Sequence, residues 1–251
     1  MSSQKLVGYW LGYVAEGNKL TDIPTTVDIV ALAFGVLYSG NTLTLDFLTS
    51  KHSKEEILAG IKFLRARGQK VIMSINGNPH YPDGGWNYCN PTQFATNVKQ
   101  ILDEWNLDGI DLDDENTEEL PNENFVNTIK QLRLQLGPNA IISLPVYMGS
   151  NRDAFLSQVK DDISFVSTMA YWGNYNEQIA LYQTYADLVG QAKVAIGVAE
   201  AANPGQDTDF AIVGSLAQFN KNAKYGMMLW HLNSTDAGKW IEEIVKNDLQ
   251  I

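Results

Sequence analysis

Eight short apolar segments recur along the chain at intervals of about 20 to 40 residues, and they constrain its fold more than any other feature. Each segment is nearly continuous in apolar character, with little alternation of apolar and polar side chains. Strands of a parallel sheet have this pattern because helices cover both faces of the sheet. Eight buried parallel strands are therefore predicted, at 6–13, 27–37, 70–75, 107–112, 140–147, 163–171, 193–199 and 225–232.

Segments of helical periodicity, several with clear start signals, lie between these apolar runs. Ser53 and Glu56 form a capping box, Asn90 precedes a proline at the first helical position, and a further helix is predicted over 122–136. Only the connection between the first two strands is too short and polar for a full helix. Later helices are predicted to start near Ser150, Asn176, Thr208 and Thr235.

Eight strands alternating with about seven helices in 251 residues predict an α/β fold, a single (β/α)8 TIM barrel over residues 1–251. The connection 202–224 between the last two strands has room for one helix, so no insertion domain is expected. A doubly wound open sheet is the alternative. No G-x-G-x-x-G or P-loop motif follows any strand, and polar residues gather at strand ends, which favours the barrel.

The charge and the apolar content restrict the partners of the protein. Asp and Glu number 29 against 18 Lys and Arg, a net charge of −11, so a nucleic-acid partner is not expected. No segment approaches the roughly 20 apolar residues that span a bilayer, so no membrane partner is expected either. We expect a monomer. The sequence leaves the cellular location open. We expect the protein to be secreted or extracytoplasmic, with any signal peptide absent from this sequence.

Cysteine usage bears on disulfides and metals. The chain has a single cysteine, Cys89, which cannot form an intrachain disulfide. No C-x-x-C motif or Cys/His cluster offers the ligands of a structural zinc site. We therefore expect neither a metal nor another cofactor.

The fourth predicted strand carries an unusual concentration of acidic residues, Leu-Asp-Gly-Ile-Asp-Leu-Asp-Asp-Glu over 107–115. Side chains alternate between the two faces of a strand, so Asp111, Asp113 and Glu115 share one face and the apolar residues between them share the other. The apolar face can pack on helices, and the acid ladder (Asp111, Asp113 and Glu115) then points into the barrel. It rises by about 6.6 Å per step towards the C-terminal rim, where barrel active sites lie.

Carboxyl groups stacked in a low-dielectric interior cannot all ionise easily. We therefore expect them to share one or two protons and the pKa of the uppermost acid, Glu115, to be raised. A raised pKa suits a general acid. A solvated acidic turn and an oxygen-rich site for Ca²⁺ or Mg²⁺ are the alternatives to a catalytic cluster.

The segment 108–115 resembles the D-G-x-D-x-D-x-E signature of the family 18 glycoside hydrolases, which are chitinases and endo-β-N-acetylglucosaminidases on (β/α)8 barrels. The resemblance implies that Glu115 protonates the glycosidic oxygen. It implies that Asp113 holds the substrate's 2-acetamido group, which attacks the anomeric carbon, and that Asp111 below is the proton partner. This substrate-assisted route departs from the usual scheme of two carboxylates.

Three further strand ends agree with the resemblance. Residues 74–77 are similar to the family's S-x-G-G pattern, with Asn76 in place of the first glycine, and residues 169–172 are similar to M-x-Y-D, with Trp172 in place of the aspartate. Tyr171 is then implied to bind the acetamido carbonyl, and Trp230, in G-x-M-x-W, to form the floor under the −1 sugar. The predicted substrate contacts are Trp230, Ser74, Asn76, Trp172, Tyr9, Phe34, Trp86 and Met169, and the other aromatic candidates for the cleft are Trp10, Tyr13, Tyr147 and Tyr88.

The resemblance implies an endo-acting glycosidase that cleaves β-1,4 bonds between N-acetylglucosamine residues with retention. Its partner would be a carbohydrate that contains N-acetylglucosamine. Chitin and the chitobiose core of N-glycans both remain open as substrates, and peptidoglycan is a third, less favoured one. A lectin on the same barrel that binds chitin or glycans without cleaving them is the alternative, because a fold does not fix a function.

Overall fold

The computed structural model describes residues 4–38, 41–77, 85–116, 119–147, 149–200 and 207–248. In these ranges eight parallel strands form a closed barrel, because β1 pairs with both β2 and β8. A two-residue strand, Leu43–Thr44, pairs antiparallel with the end of β2. The predicted barrel is confirmed, with the strands β1 (Lys5–Leu11), β2 (Ile29–Leu37), β3 (Lys70–Gly77), β4 (Gly109–Asp113), β5 (Ile141–Val146), β6 (Phe165–Thr168), β7 (Val194–Ala199) and β8 (Gly226–Trp230).

Helices follow all the strands except β1, which leads only into a 3-10 turn at Leu20–Asp22, as the short connection predicts. Two short helices stand between β5 and β6. Among the described residues no helix is both long and apolar enough to cross a membrane. The helices are α1 (Lys54–Ala66), α2 (Pro91–Trp105), α3 (Glu123–Leu136), α4 (Ser150–Asp153), α5 (Leu156–Val159), α6 (Tyr175–Val189), α7 (Phe210–Gln218) and α8 (Ala237–Asp248).

The predicted capping signals work as expected at the first three helices. Ser53, Asn90 and Asn122 are the N-caps of α1, α2 and α3, and each side chain accepts a hydrogen bond from the first turn. The prediction is wrong by a small margin at α6 and α7. Asn174 caps α6 instead of Asn176, and Asp209 caps α7 instead of Thr208, because the oxygen of each of these residues reaches a backbone N–H two residues ahead.

Two apolar layers hold the barrel together. The larger one lies between the strands and the surrounding helices, and the smaller one fills the inside of the barrel. Alternation along β1 sends Tyr9 inwards and Trp10 outwards, where Trp10 is buried in the outer layer. Trp10 is therefore a core residue, and its assignment to the cleft is wrong.

A bulge in β2 turns an aromatic side chain into the barrel. Ala33 pairs with Ser74 and Gly35 with Ile75, which leaves Phe34 as the extra residue. A bulge of this kind re-aims the side chain at its centre. Phe34 packs with the inner layer as a result, close to the C-terminal end of the barrel.

Candidate active site

The acid ladder lies on the inner face of β4, as strand alternation predicts. Asp111 and Asp113 are 0% and 2% exposed, and Glu115 lies two residues beyond the end of the strand. Glu115 and Asp113 line a cavity, whereas Asp111 is not part of its lining. The strand therefore carries its carboxyl groups from the interior of the barrel to the C-terminal rim.

Asp111 is held by three hydroxyl groups from three strands. Ser143 Oγ on β5 donates to Oδ1 at 2.6 Å. Ser74 Oγ on β3 and Tyr9 Oη on β1 donate to Oδ2 at 2.8 and 2.9 Å. Sheet register explains two of these contacts, because Ser74 and Ser143 are the direct partners of Asp111 on the neighbouring strands.

These contacts give Asp111 hydrogen-bond donors of its own, and a proton shared between Asp111 and Asp113 stays a prediction. In the described part of the chain the hydrogen bonds to Asp111 come from hydroxyls, and none joins it to Asp113. Burial raises the pKa of Asp111, and the three hydroxyl donors counteract this by stabilising its ionised form. Asp111 acts as an anchor of the strand here.

Asp113 is bound by the side chain that departs from the family pattern. Asn76 Nδ2 on β3 donates to Asp113 Oδ2 at 3.0 Å, and Asn76 is the register partner of Asp113. The other carboxylate oxygen, Oδ1, is buried and has no hydrogen-bond partner among the described residues. One oxygen of Asp113 is thus fixed by the protein, and the other remains available to a ligand.

Burial and mutual repulsion raise the pKa values of both upper acids. Burial raises the pKa of Asp113 well above its ordinary value, and the negative charge of Glu115 raises it further. Glu115 is open to solvent within the cavity, yet the surrounding walls exclude much of the water from its carboxyl group, and this desolvation raises its pKa. Two neighbouring carboxyl groups of this kind titrate as a pair, and the arrangement favours a proton shared between them.

A buried ion pair fixes the loop that carries Glu115. Arg152 Nη2 on α4 donates to Asp114 Oδ2 at 2.6 Å, and Arg152 Nη1 donates to the carbonyl oxygen of Glu119 at 2.5 Å. Both side chains are largely buried, at 5% and 14% exposure. The loop after β4 is therefore tied to α4 on the side of Asp114 that faces away from the acid ladder.

The cavity above the ladder has a volume of about 420 Å³, within the usual range for a small-molecule site. Trp230 is part of its wall, and the centroid of its ring lies 5.5 Å from that of Tyr9 and 5.8 Å from that of Phe34. The peptide bonds Ala33–Phe34 and Trp230–His231 are cis. The described residues that line the cavity are Tyr9, Tyr13, Phe34, Asp113, Glu115, Pro145, Tyr147, Met169, Tyr171, Trp172 and Trp230.

Three of the predicted substrate contacts, Trp86, Ser74 and Asn76, are not among the described residues that line this cavity. Trp86 is 2% exposed and packs against Phe94 and Phe125, because its loop folds back onto the helices. Gly77 leaves room for it, since a Cβ there would lie 2.4 Å from the indole nitrogen. Ser74 is fully buried and bonds Asp111. Trp86 and Ser74 are therefore core residues and their predicted substrate contact is wrong, whereas Asn76 contacts Asp113 and its contact with substrate stays a prediction.

Tyr88 was predicted to lie in the cleft, where it does not lie, and Ser143 and Arg152 were not predicted from the sequence. Tyr88 is exposed outside the cavity and donates to Glu119. Ser143 and Arg152 were not identified, although Ser143 stands in the apolar run of β5, where a lone polar residue is a usable signal. Among the described residues, no group of three or more His, Cys, Asp or Glu side chains could hold a metal ion.

The comparison with known families agrees with this geometry. Residues 10–234 match the model of the TIM-barrel domain of endo-β-N-acetylglucosaminidase EndoS. That match covers most of the chain, and structural neighbours of the same barrel include chitinases of glycoside hydrolase family 18. The chain is a family 18 glycoside hydrolase. The family predicted from the acidic motif is confirmed.

Individual relatives of this family 18 protein are of two kinds. An endo-β-N-acetylglucosaminidase of Flavobacterium sp. (strain SK1022) is 32% identical over 202 residues, which cover 74% of this chain and 59% of that protein. Exochitinase 1 of Streptomyces olivaceoviridis is 33% identical over 118 residues, which cover 43% of this chain and 20% of that protein. The chain thus spans less than two thirds of either relative.

A solved structure shows the same family 18 barrel over nearly the whole chain. The chitinase of Pseudoalteromonas aurantia superposes with a TM-score of 0.75, at 21% identity, over 97% of this chain and 100% of its own. At this identity the likeness concerns the fold alone. The proteins named in these comparisons are glycosidases, so the predicted class of enzyme is confirmed at the level of the family.

Proposed function

We propose that this protein hydrolyses β-1,4 bonds between N-acetylglucosamine residues within a chain, with retention of configuration, and that residues 1–251 act as one catalytic domain. The observation that carries the proposal is the pair of acids at the floor of an aromatic cavity. Among the described residues that line the cavity, Asp113 and Glu115 are the acids, and both come from one strand end. A second carboxylate across the cleft, which the usual retaining scheme needs, is absent from that lining.

The substrate's own acetamido group supplies the nucleophile in this proposal. Glu115 donates its proton to the glycosidic oxygen, the bond from that oxygen to the anomeric carbon breaks, and the acetamido oxygen bonds to the same carbon. The product of this step is a cyclic oxazolinium ion. Water then loses a proton to the Glu115 carboxylate and opens the ring, so both steps invert the anomeric carbon and the β configuration is retained.

Asp113 and Tyr171 stabilise the intermediate in this proposal. Asp113 Oδ1, which lacks a protein partner among the described residues, can accept the acetamido N–H and offset the positive charge of the oxazolinium ion. Tyr171 lines the cavity, and burial raises the pKa of its hydroxyl well above the ordinary value. A hydroxyl that stays protonated is a hydrogen-bond donor for the acetamido oxygen.

Two substrates fit the same chemistry, the chitin chain and the chitobiose core of N-glycans. The family model and the Flavobacterium relative are named for the second activity, and the Streptomyces relative is named for the first. The mechanism needs a 2-acetamido group at the cleaved sugar and is satisfied by either. The linkage is therefore the firm part of the proposal, and the experiment decides between the substrates.

Replacing Glu115 with glutamine tests the assignment of the acid. Wild type and Glu115→Gln are incubated with chitohexaose and with a high-mannose glycoprotein, and the products are measured by mass spectrometry. We expect the variant to lose hydrolysis by roughly 10³-fold or more and to keep sugar binding, because glutamine preserves shape but has no proton to give. Early NMR of the wild-type product should show the β anomer.

The outcomes separate the possible functions. Shortened oligomers would show a chitinase, and a released glycan that leaves one N-acetylglucosamine on the protein would show an endo-β-N-acetylglucosaminidase. Binding of sugar without hydrolysis by either protein would reassign the chain to the lectins. Equal turnover by wild type and variant would refute the role of Glu115.

A further inference from the structure

Asn76 departs from the glycine of the family pattern and lies on the acid ladder. It is the register partner of Asp113 on β3, and its side-chain nitrogen lies 3.0 Å from Asp113 Oδ2. A glycine at this position would leave Oδ2 without that donor. Asn76 thus provides a side-chain hydrogen bond to the Asp113 carboxyl group, and Glu115 interacts with the same carboxyl group.

We propose that Asn76 is a positioning residue that stabilises the ionised form of Asp113 and so shifts the shared proton of the acid pair towards Glu115. This inference rests on the hydrolytic function proposed above. An amide N–H donates more strongly to a charged carboxylate than to the carbonyl oxygen of a protonated carboxyl group. The contact therefore favours the ionised form of Asp113 over the protonated one.

The location of the proton decides whether the site can act. Catalysis needs the proton on Glu115, which donates it, and a negative charge on Asp113, which faces the positive oxazolinium ion. Burial and the charge of Glu115 push the pKa of Asp113 upwards, towards the unproductive arrangement. The hydrogen bond from Asn76 counteracts that rise in the pKa of Asp113. It binds Oδ2, and Oδ1 has no hydrogen-bond partner among the described residues.

The other groups around Asp113 do not supply this bias. They carry negative charge or are hydroxyls with pKa values raised by burial, and the cation Arg152 is already paired with Asp114. The titratable groups that face Asp113 are Glu115, Asp114 and Asp111 on β4 and the loop after it, Tyr9 on β1, Tyr13 after β1, Tyr147 after β5 and Tyr171 after β6.

The test measures kcat, KM and the pH profile of Asn76→Ala and Asn76→Asp, with Asn127→Ala, an exposed asparagine on α3, as the matched control. A lost hydrogen bond to a charged group should lower kcat roughly 10- to 100-fold, with a smaller change in KM. Without the donor the pKa of Asp113 rises, so the acidic limb of the profile should move to higher pH. Asn76→Asp should show the larger shift, because it adds a carboxyl group beside Asp113.

A second measurement does not depend on turnover. Carbon-13 labelling of Asp and Glu carboxyl groups allows Asp113 and Glu115 to be titrated by NMR in wild type, in Asn76→Ala and in Asn76→Ser. The serine variant keeps a small hydrogen-bond donor. In Asn76→Ala the first deprotonation should move from Asp113 towards Glu115, and Asn76→Ser should fall between Asn76→Ala and wild type.

Two results would overturn the inference directly: an unchanged acidic limb in an active Asn76→Ala enzyme, and an unchanged order of deprotonation by NMR. Loss of folding in all the Asn76 variants would also overturn it, because the role of Asn76 would then be structural. Absence of hydrolysis by the wild type would instead refute the proposed function, and the NMR titration would still report on Asn76.

Discussion

Trp172 is a single residue at which this chain departs from the family pattern beside the cavity. It stands where the resembling pattern has an aspartate, follows the cavity residue Tyr171 and is 56% exposed at the edge of the cavity. An indole in this position offers a flat apolar face to a sugar ring and no charge to the acids. The edge of the cavity therefore carries an exposed indole where the pattern has a carboxylate, and its contact with substrate is a prediction.

We predict that Trp172→Ala raises KM roughly tenfold and leaves kcat within about twofold, because the lost contact concerns substrate binding and not the acid pair. Phe63→Ala is the control, since Phe63 is a similarly exposed aromatic residue on α1, away from the cavity. Steady-state kinetics on chito-oligosaccharides measures both. A fall in kcat with constant KM would contradict the binding role.

Residues on regular strands were predictable, and those on loops were not. Alternation with a period of two placed Asp111 and Asp113 on the inner face correctly. The same rule, applied to β1, separates Tyr9 from Trp10. Trp86 lies in a loop without periodicity, so the sequence could not indicate that it turns back into the core.

At the scale of an element, the loop after β4 depends on the ion pair of Arg152 and Asp114. Both groups are largely buried, so loss of one partner leaves a charge without compensation. We predict that Arg152→Met lowers the free energy of unfolding by about 3–5 kcal/mol. Urea denaturation followed by tryptophan fluorescence measures the change.

The double variant Arg152→Met with Asp114→Asn is the control for this prediction. It removes both charges, and we expect it to recover more than half of the lost stability, since replacement of a buried pair by neutral groups is often close to neutral. Equal instability of the single and double variants would show that packing of the arginine stem, and not the unpaired carboxylate, is responsible.

The contacts between elements follow a register that the sequence did not reveal. Ser74 bonds Asp111, and Asn76 bonds Asp113, each across 37 residues. One known contact would have predicted the other, because both residues advance by two along parallel strands. The starting register depends on how the strands are staggered in the closed barrel, which local patterns do not encode.

For the whole molecule, the buried carboxyl groups make stability depend on pH. The pKa of Asp113 is well above its ordinary value in the folded state, so the folded chain binds more protons than the unfolded chain between the two pKa values. Stability contributed by this group is therefore present below the unfolded pKa and is lost as the pH rises through the folded pKa. Ionisation of the buried Asp113 carboxyl group therefore lowers the free energy of unfolding.

We predict that Asp113→Asn is less active than wild type but more stable at alkaline pH. Relative to wild type, its gain in unfolding free energy should be on the order of 1–3 kcal/mol larger at about pH 8 than at about pH 4, because asparagine cannot ionise. Urea midpoints at the two pH values measure this. Asp161→Asn, an exposed aspartate, is the control, and an equal gain at both pH values would be inconsistent with ionisation as the cause.

The hydroxyl bonds on Asp111 join parts of the chain that are far apart in sequence. Tyr9 reaches Asp111 across 102 residues, from the strand that also pairs with β8 and so closes the barrel. Long-range contacts of this kind form late, because the intervening chain must first be ordered. The full set of hydroxyl donors on Asp111 is thus complete only when β1 has joined the sheet. A chain with β1 detached would keep the donors from Ser74 and Ser143 and lose the third, so the environment of the Asp111 carboxyl group reports whether the N-terminal strand is in place.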